Sequence, residues 1–259
     1  MEREEKIEFA KALDAKEQLL QDKTLELRQY SLIQKAFLLC KAKIRNLIGS
    51  NRSGKTLVGA DDIIIRSTGT IPKSLIDEYP RDAIRIGRYW SSAQDFQSSR
   101  DVSQDKIFLS CPKRSLSFFN KESRTLWFSN GSALGFKSCD SGWEKYRGTS
   151  RLGIWNDEEH SKEIFKEEFM RTIDCKGWIT NTFTPDKGLS WSYKDHYLKA
   201  SFYYYTKNKH GITENVGQVH TPEEIVLLKD RELVIVPNTS SDADPDIVNF
   251  QMSIYDNLF

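Results

Sequence analysis

Gly49-Ser50-Asn51-Arg52-Ser53-Gly54-Lys55-Thr56 is the stretch from which the rest of this chain is read. It has the form G-x-x-x-x-G-K-T, the spacing of a phosphate-binding loop. Gly49 and Gly54 let the backbone curl so that successive N–H groups point at phosphate oxygens. Lys55 reaches β- and γ-phosphates, Thr56 offers a hydroxyl to Mg²⁺, and a helix starting near Lys55 adds its positive dipole end. Working outward, Ile44, Leu47 and Ile48 read as a short buried strand before the loop. Leu57-Val58-Gly59-Ala60 and Ile63-Ile64-Ile65 supply the apolar face of a helix after it. A chance match in a Gly/Ser-rich turn would lack that strand–loop–helix context.

A second element completes the chemistry. Leu152-Gly153-Ile154-Trp155 reads as an apolar strand that runs into Asn156-Asp157-Glu158-Glu159. Asp157 would hold Mg²⁺ through its water shell, and Glu158 would polarise an attacking water as general base. The competing reading is a helix N-terminus decorated with acids; pairing with the phosphate loop favours catalysis. A strand expected at 83–90 and a hairpin lie between the two motifs, so the acidic strand is not expected to be the immediate neighbour of the loop strand. Asn181-Thr182-Phe183-Thr184-Pro185 ends a further strand in small hydroxyls, and Thr182 or Thr184 could sense the γ-phosphate and pass the signal on. Positive charge near the γ-phosphate is available from Arg52 in the loop, from Arg100 on the helix after the second strand, and from Arg147 before the acidic strand. An arginine could also come from a neighbouring subunit; Arg100 and Arg147 read equally as solvated surface residues. Gln34 precedes the loop on a helix capped by Ser31. Its amide could read both the donor and acceptor edge of adenine, or it is a surface glutamine.

Composition bounds the partners. The chain has 259 residues, 38% of them hydrophobic, enough for one large α/β domain. Net charge is only +1, so contact with nucleic acid requires a local basic patch rather than a global field. Four cysteines without a C-x-x-C pair, and four histidines without metal spacing, argue against zinc and for reduced thiols. No apolar run approaches a bilayer span, and the charged start Met1-Glu2-Arg3-Glu4-Glu5-Lys6 is not a secretory signal.

Along the chain, 4–28 reads as an amphipathic helix. Ser91 to Asp95 read as a cap and helix start, and Asn130-Gly131 as the two-residue turn of a hairpin over 114–137. Residues 140–150 read as a loop, 165–173 as a helix, 177–182, 202–206 and 233–236 as strands, and 239–246 as a polar linker.

Together these residues resemble the large terminase subunit of tailed bacteriophages. The loop form Asn-Arg-Ser-Gly-Lys-Thr, Gln34, Tyr146-Arg147-Gly148, Ile154 to Glu159, Thr182 to Pro185 with Gly188 and Trp191, and Ser253 to Asn257 follow the family order across 28–259. Asn156, polar where many ATPases keep an apolar residue, is a departure. The resemblance implies an α/β fold of the additional-strand, catalytic-glutamate (ASCE) P-loop NTPase type, with a mainly parallel sheet, flanking helices and an added antiparallel hairpin. It implies a helical extension over 1–28, an ATPase domain over 29–238, and a linker or lid beginning at 239–259. It further implies ATP and Mg²⁺ as cofactors, with Gln34, Gly49, Ser50, Asn51, Arg52, Ser53, Gly54, Lys55 and Thr56 around the nucleotide, Thr56 and Asp157 on the metal, and Glu158, Arg52 and Arg100 in catalysis. The activity implied is ATP hydrolysis driving double-stranded DNA into a procapsid in the host cytoplasm, with a portal protein and a small terminase subunit as partners. Five copies would act on the portal, with a monomer in isolation and no membrane. The family's ribonuclease-H-like nuclease has no counterpart in these residues, so the expectation is an ATPase without DNA cutting. A helicase-like translocase, or a nucleotide-binding domain nearly inactive without assembly, are the alternative readings.

Overall fold

The computed structural model describes residues 22–186, 188, 190–208 and 231–257. The expected helix at 4–28 lies outside them except at its end, where Thr24–Leu27 forms one turn. The first helix, α1, spans Leu32–Leu39. Ser31 caps it: its hydroxyl accepts from Gln34 N, and Gln34 Oε1 accepts from Ser31 N at 3.0 Å. Strand β1 is Ile44–Gly49, buried throughout, and the phosphate-loop helix α2 is Lys55–Thr68, stopped by Gly69 in the left-handed region. Then come β2 (Arg88–Ala93) and α3, which runs as Phe96–Ser98, a π-helical stretch Ser99–Gln104, and Asp105–Ser110. Strands β3 (Leu116–Asn120), β4 (Thr125–Phe128), β5 (Ala133–Ser138) and β6 (Gly153–Asp157) precede helix α4 (Lys162–Ile173). Strands β7 (Trp178–Phe183), β8 (Ala200–Asn208), β9 (Arg231–Pro237) and β10 (Asp244–Met252) complete the described elements.

These strands form a ten-stranded sheet in the order β3-β4-β5-β2-β6-β7-β1-β10-β8-β9. Pairing is parallel from β5 through β8, with antiparallel β3 and β4 at one edge and β9 at the other. As expected of the ASCE arrangement, β7 separates the acidic strand β6 from the loop strand β1. Alternation along β1 sorts the faces. Arg45 and Leu47 meet α2, while Ile44 joins Ile154, Ile179, Ile164 and Phe165 beneath α4.

Several expectations are corrected. The strand expected at 83–90 begins only at Arg88 and continues through Ser91, Ser92 and Ala93, because its partners β5 and β6 reach only that far. Asp95 alone is the cap, accepting from Ser98 N at 2.7 Å. The hairpin is a three-stranded meander; Leu116–Asn120 adds a strand, and four residues, 129–132, join β4 to β5. The acidic strand extends through Asn156, whose buried amide donates to Asn181 Oδ1 (3.0 Å) and Glu168 Oε2 (2.7 Å). The tail is not a linker from 239. Asp244–Met252 is an internal strand that pairs in parallel with β1 from Ile44↔Ile247 to Gly49↔Met252, so the sheet does not end at 238.

Candidate active site

The site lies at the C-terminal ends of β1, β6 and β7, where the parallel strands deliver Gly49, Asp157 and Phe183 side by side. Gly49 abuts β10 so closely that a Cβ would lie 2.5 Å from Met252 O. Gly54 sits at φ +91, and a Cβ there would meet Asn257 Oδ1 at 2.5 Å and Gln34 Nε2 at 3.2 Å. Arg52 also adopts a left-handed backbone, φ +63; its side chain is exposed and its carbonyl accepts from Asn257 Nδ2 at 3.0 Å. Ser53 is fully buried, and among the described residues its hydroxyl has no hydrogen-bond partner.

Lys55 opens α2 and is buried. Its ammonium donates to Ser50 O (2.8 Å), closing the loop on itself, and to Thr184 Oγ1 (3.0 Å). Burial lowers its pKa, and the Glu158 and Asp157 carboxylates act against that. Thr184 in turn donates its backbone N–H to Glu158 Oε2 (3.1 Å) and its hydroxyl to Asn51 Oδ1 (3.1 Å). Thr184 therefore bridges the phosphate loop, the lysine and the acidic strand. Glu158 follows β6 at φ +74, a conformation that strains a non-glycine residue by about 1–3 kcal/mol and that recurs at functional sites. Burial raises its pKa above the usual carboxylate range, and the Thr184 N–H opposes this.

Asp157 is buried and accepts three hydroxyl donors: Thr56 (3.0 Å), Ser103 (2.8 Å) and Thr182 (3.1 Å). Burial raises its pKa; those hydroxyls hold it down in part. Thr182, fully buried, also accepts from Trp155 Nε1 at 2.9 Å. The two threonines thus face different jobs: Thr182 braces Asp157 from within the sheet, whereas Thr184 touches the loop.

Beneath the loop, α2 is bolted to the sheet by charge. Asp62 accepts from Arg45 Nη1 (2.9 Å) and Nη2 (2.7 Å) on β1, and from Arg66 Nε (2.8 Å), with all three side chains buried. Arg45 also donates to Thr180 on β7 at 2.7 Å. Asp61, one residue earlier, takes Tyr30 (2.9 Å) and Arg28. On the opposite face a row of amides crosses four strands in one direction. Asn156 donates to Asn181, Asn181 to Asn46 (2.7 Å), and Asn46 to Asn249 (2.8 Å).

The remaining candidates divide. Gln34 is buried against the loop at Gly54, but its Oε1 is occupied by the α1 cap. Arg100 is exposed and paired with Asp101, and Arg147 is exposed with its guanidinium 4.2 Å above the Trp143 ring; among the described residues neither is hydrogen-bonded or ion-paired to Lys55, Asp157 or Glu158. Asp256 takes Arg231 (2.9 Å) and Ser253 N (2.7 Å), which sets Asn257 on the loop. His160 and His196 are buried, while His210 and His220 lie outside the described residues. Among the described residues no group of His, Cys, Asp and Glu could hold a metal by itself, and no helix is long and apolar enough to cross a membrane. Sequence reasoning missed Ser103, for which no signal exists in the sequence. It also missed Asp61-Asp62, whose position inside the Leu57–Ile65 apolar run is itself a signal of buried ion pairing.

Comparison with known proteins gives a family and a fold. The family model of the terminase large subunit, T4-like-virus type, N-terminal, matches residues 46–246. No curated protein matches. Among solved structures, the chain is similar to the large terminase ATPase domain of Thermus phage P74-26, with TM-score 0.55, 16% identity, and 89% of this chain and 83% of that one covered. It is also similar to the large terminase of a thermophilic bacteriophage (TM-score 0.56, 13% identity, 89% of this chain, 46% of that one). That same large terminase in complex with ADP gives TM-score 0.53 and 14% identity over 89% of this chain and 47% of that one. The chain thus spans about half of the thermophilic bacteriophage protein.

Proposed function

We propose that this chain, which belongs to the T4-like-virus-type terminase large subunit family, hydrolyses ATP to move double-stranded DNA into a procapsid. The observation that carries the reading is the bridge Lys55–Thr184–Glu158 beside the pair Thr56–Asp157, all at the ends of three parallel strands. The ADP complex of the thermophilic bacteriophage large terminase supports a nucleotide as ligand.

In this reading the loop N–H groups cradle the phosphates, and Lys55 exchanges Ser50 O and Thr184 for β- and γ-oxygens. The Thr56 hydroxyl and Asp157 carboxylate, 3.0 Å apart, are a hard oxygen donor pair suited to Mg²⁺. Mg²⁺, held by Thr56 and Asp157, would supply positive charge against the negative charge that develops on the phosphates. Glu158, freed from Thr184 N–H, accepts a proton from the attacking water; its raised pKa strengthens it as a base. Thr184 loses Lys55 and Glu158 together when the γ-phosphate enters, so the segment after β7 reports occupancy. Arg52, at the exposed tip of the loop, adds charge toward the phosphates, and Arg100 or Arg147 would serve a neighbouring copy. The portal, the small subunit and a five-copy ring in the host cytoplasm belong to the same proposal.

The test is Glu158→Gln in the purified chain with Mg-ATP. Turnover falls by about 10²–10⁴, while binding of a fluorescent ATP analogue is kept. Turnover at the unmutated rate would remove Glu158 from the mechanism.

A further inference from the structure

Far along the sheet from the loop, three cations crowd together with no counter-charge. Register places Arg88, Trp90, Ala133, Gly135, Thr125 and Trp127 on one face of β2, β5 and β4, with Lys137 two residues beyond Gly135 on the same side. Arg151 approaches from the segment before β6. Arg88, Lys137 and Arg151 line a cavity of about 220 Å³ together with Trp90 and Thr125. Aromatic rings hold each charge in place. Arg151 lies 4.2 Å and Lys137 4.9 Å from the Trp90 ring centroid, and Arg88 lies 5.2 Å from that of Trp127. Among the described residues, none of the three has a carboxylate within 4 Å.

The two fully buried arginines and Arg28 are paired with carboxylates instead. Arg45 and Arg66 share Asp62, and Arg28 has Asp61. Arg151 donates only to neutral oxygens, its Nη1 to Thr149 O (3.0 Å) and Ser150 O (2.8 Å), and among the described residues its buried Nε, like that of Arg45, has no partner. Burial, and then Arg88, bring the Arg151 pKa down to about 10; burial, Arg151 and Lys145 lower that of Lys137. The cluster repels itself, so it costs stability until an anion arrives. A second basic cavity, beside the C-terminal end of α4, carries counter-charge: Asp82 lines it and pairs with Lys41, and its Arg66 shares Asp62.

We infer that Arg88, Lys137 and Arg151 bind the phosphodiester backbone of DNA, an inference that rests on DNA being the partner proposed above. Arginine forks match phosphate oxygens in pairs, and three cations on one face suit anions repeated along a strand. With a net charge of +1, the chain attracts a polyanion only through such a local cluster.

The test is binding of a random-sequence DNA duplex by fluorescence anisotropy over a salt series, comparing the unmutated chain with the double variant R88Q/K137Q. Losing two phosphate contacts lowers the slope of log K against log salt by about 1.8, since each contributes about 0.9. Because the variant also relieves repulsion, its melting temperature stays level or rises. The charge-keeping variant R88K/K137R retains most of the slope, and K41Q/K176Q leaves it unchanged. An unchanged slope in R88Q/K137Q overturns the site while leaving DNA as the partner. So does a loss in K41Q/K176Q instead, or a fall in the R88Q/K137Q melting temperature that marks the cations as structural. Failure of the unmutated chain to bind duplex at low salt overturns the site and the DNA-partner reading together.

Discussion

Asp62→Asn attacks the joint between the phosphate-loop helix and the sheet. In the native chain one carboxylate serves two guanidinium groups, Arg45 at 0% exposure and Arg66 at 3%. Burial would raise the Asp62 pKa, but Arg45 and Arg66 override it and hold the group ionised. The amide keeps the size and one acceptor oxygen but removes the negative charge that both guanidinium groups touch, leaving two cations in the interior. Removing one partner of a buried pair typically costs about 3–5 kcal/mol. At about 2–4 °C per kcal/mol for a chain of this size, melting should fall by roughly 6–20 °C. Differential scanning calorimetry at neutral pH, with urea unfolding as a second probe, measures it. The triple variant R45M/D62L/R66M removes all three charges together and should be the more stable of the two, because no uncompensated charge remains. A shift below about 2 °C in Asp62→Asn, or a triple variant that melts below it, would refute the argument that charge rather than packing secures α2. Nucleotide affinity should fall with stability, since Lys55 and Thr56 open the same helix.

Two further outcomes follow from the packing. Gly59→Ala should destabilise although alanine is the better helix former by about 1 kcal/mol. The new Cβ would lie 2.3 Å from Trp155 Nε1, a fully buried ring tied to Thr182, so overpacking of about 1–3 kcal/mol or more wins and appears as a lower urea midpoint. The His160–Glu168 pair, 3.2 Å apart and buried, makes stability depend on pH. Burial would lower the His160 pKa, but Glu168 raises it to about 10, above the unfolded value of about 6.5. The pair's contribution is therefore complete below about pH 6.5 and disappears as pH climbs toward 10. The urea-stability difference between the native chain and His160→Gln should shrink across that interval; a difference independent of pH would exclude the ion pair.

What could be read from residues alone was what local chemistry dictates. Gly49 to Thr56 needs particular backbone freedom and particular ligands at fixed spacing, so its strand–loop–helix setting was legible, as was the acidic end of β6. The strands that failed were those whose limits are set by neighbours. Residues 83–90 alternate as a strand should, yet pairing starts at Arg88 because β5 and β6 lie only there. Residues 239–246 read as a polar linker because their acids come first, although Ile247, Val248, Phe250 and Met252 follow as a strand pattern. Only insertion beside β1 turns that pattern into core. Asn156 read as a departure from an apolar strand, and the row of amides through Asn181, Asn46 and Asn249 gives it its place there.

The sequence by itself determined the phosphate loop, the paired acids and the α/β class, because each depends on residue types within a few positions of one another. Tertiary structure alone decided that Ser103 and Thr182 brace Asp157, that Thr184 joins Lys55 to Glu158, and that Arg88, Lys137 and Arg151 share one face. Those contacts join residues far apart in the chain. Their existence depends on strand order and register, which no local pattern encodes.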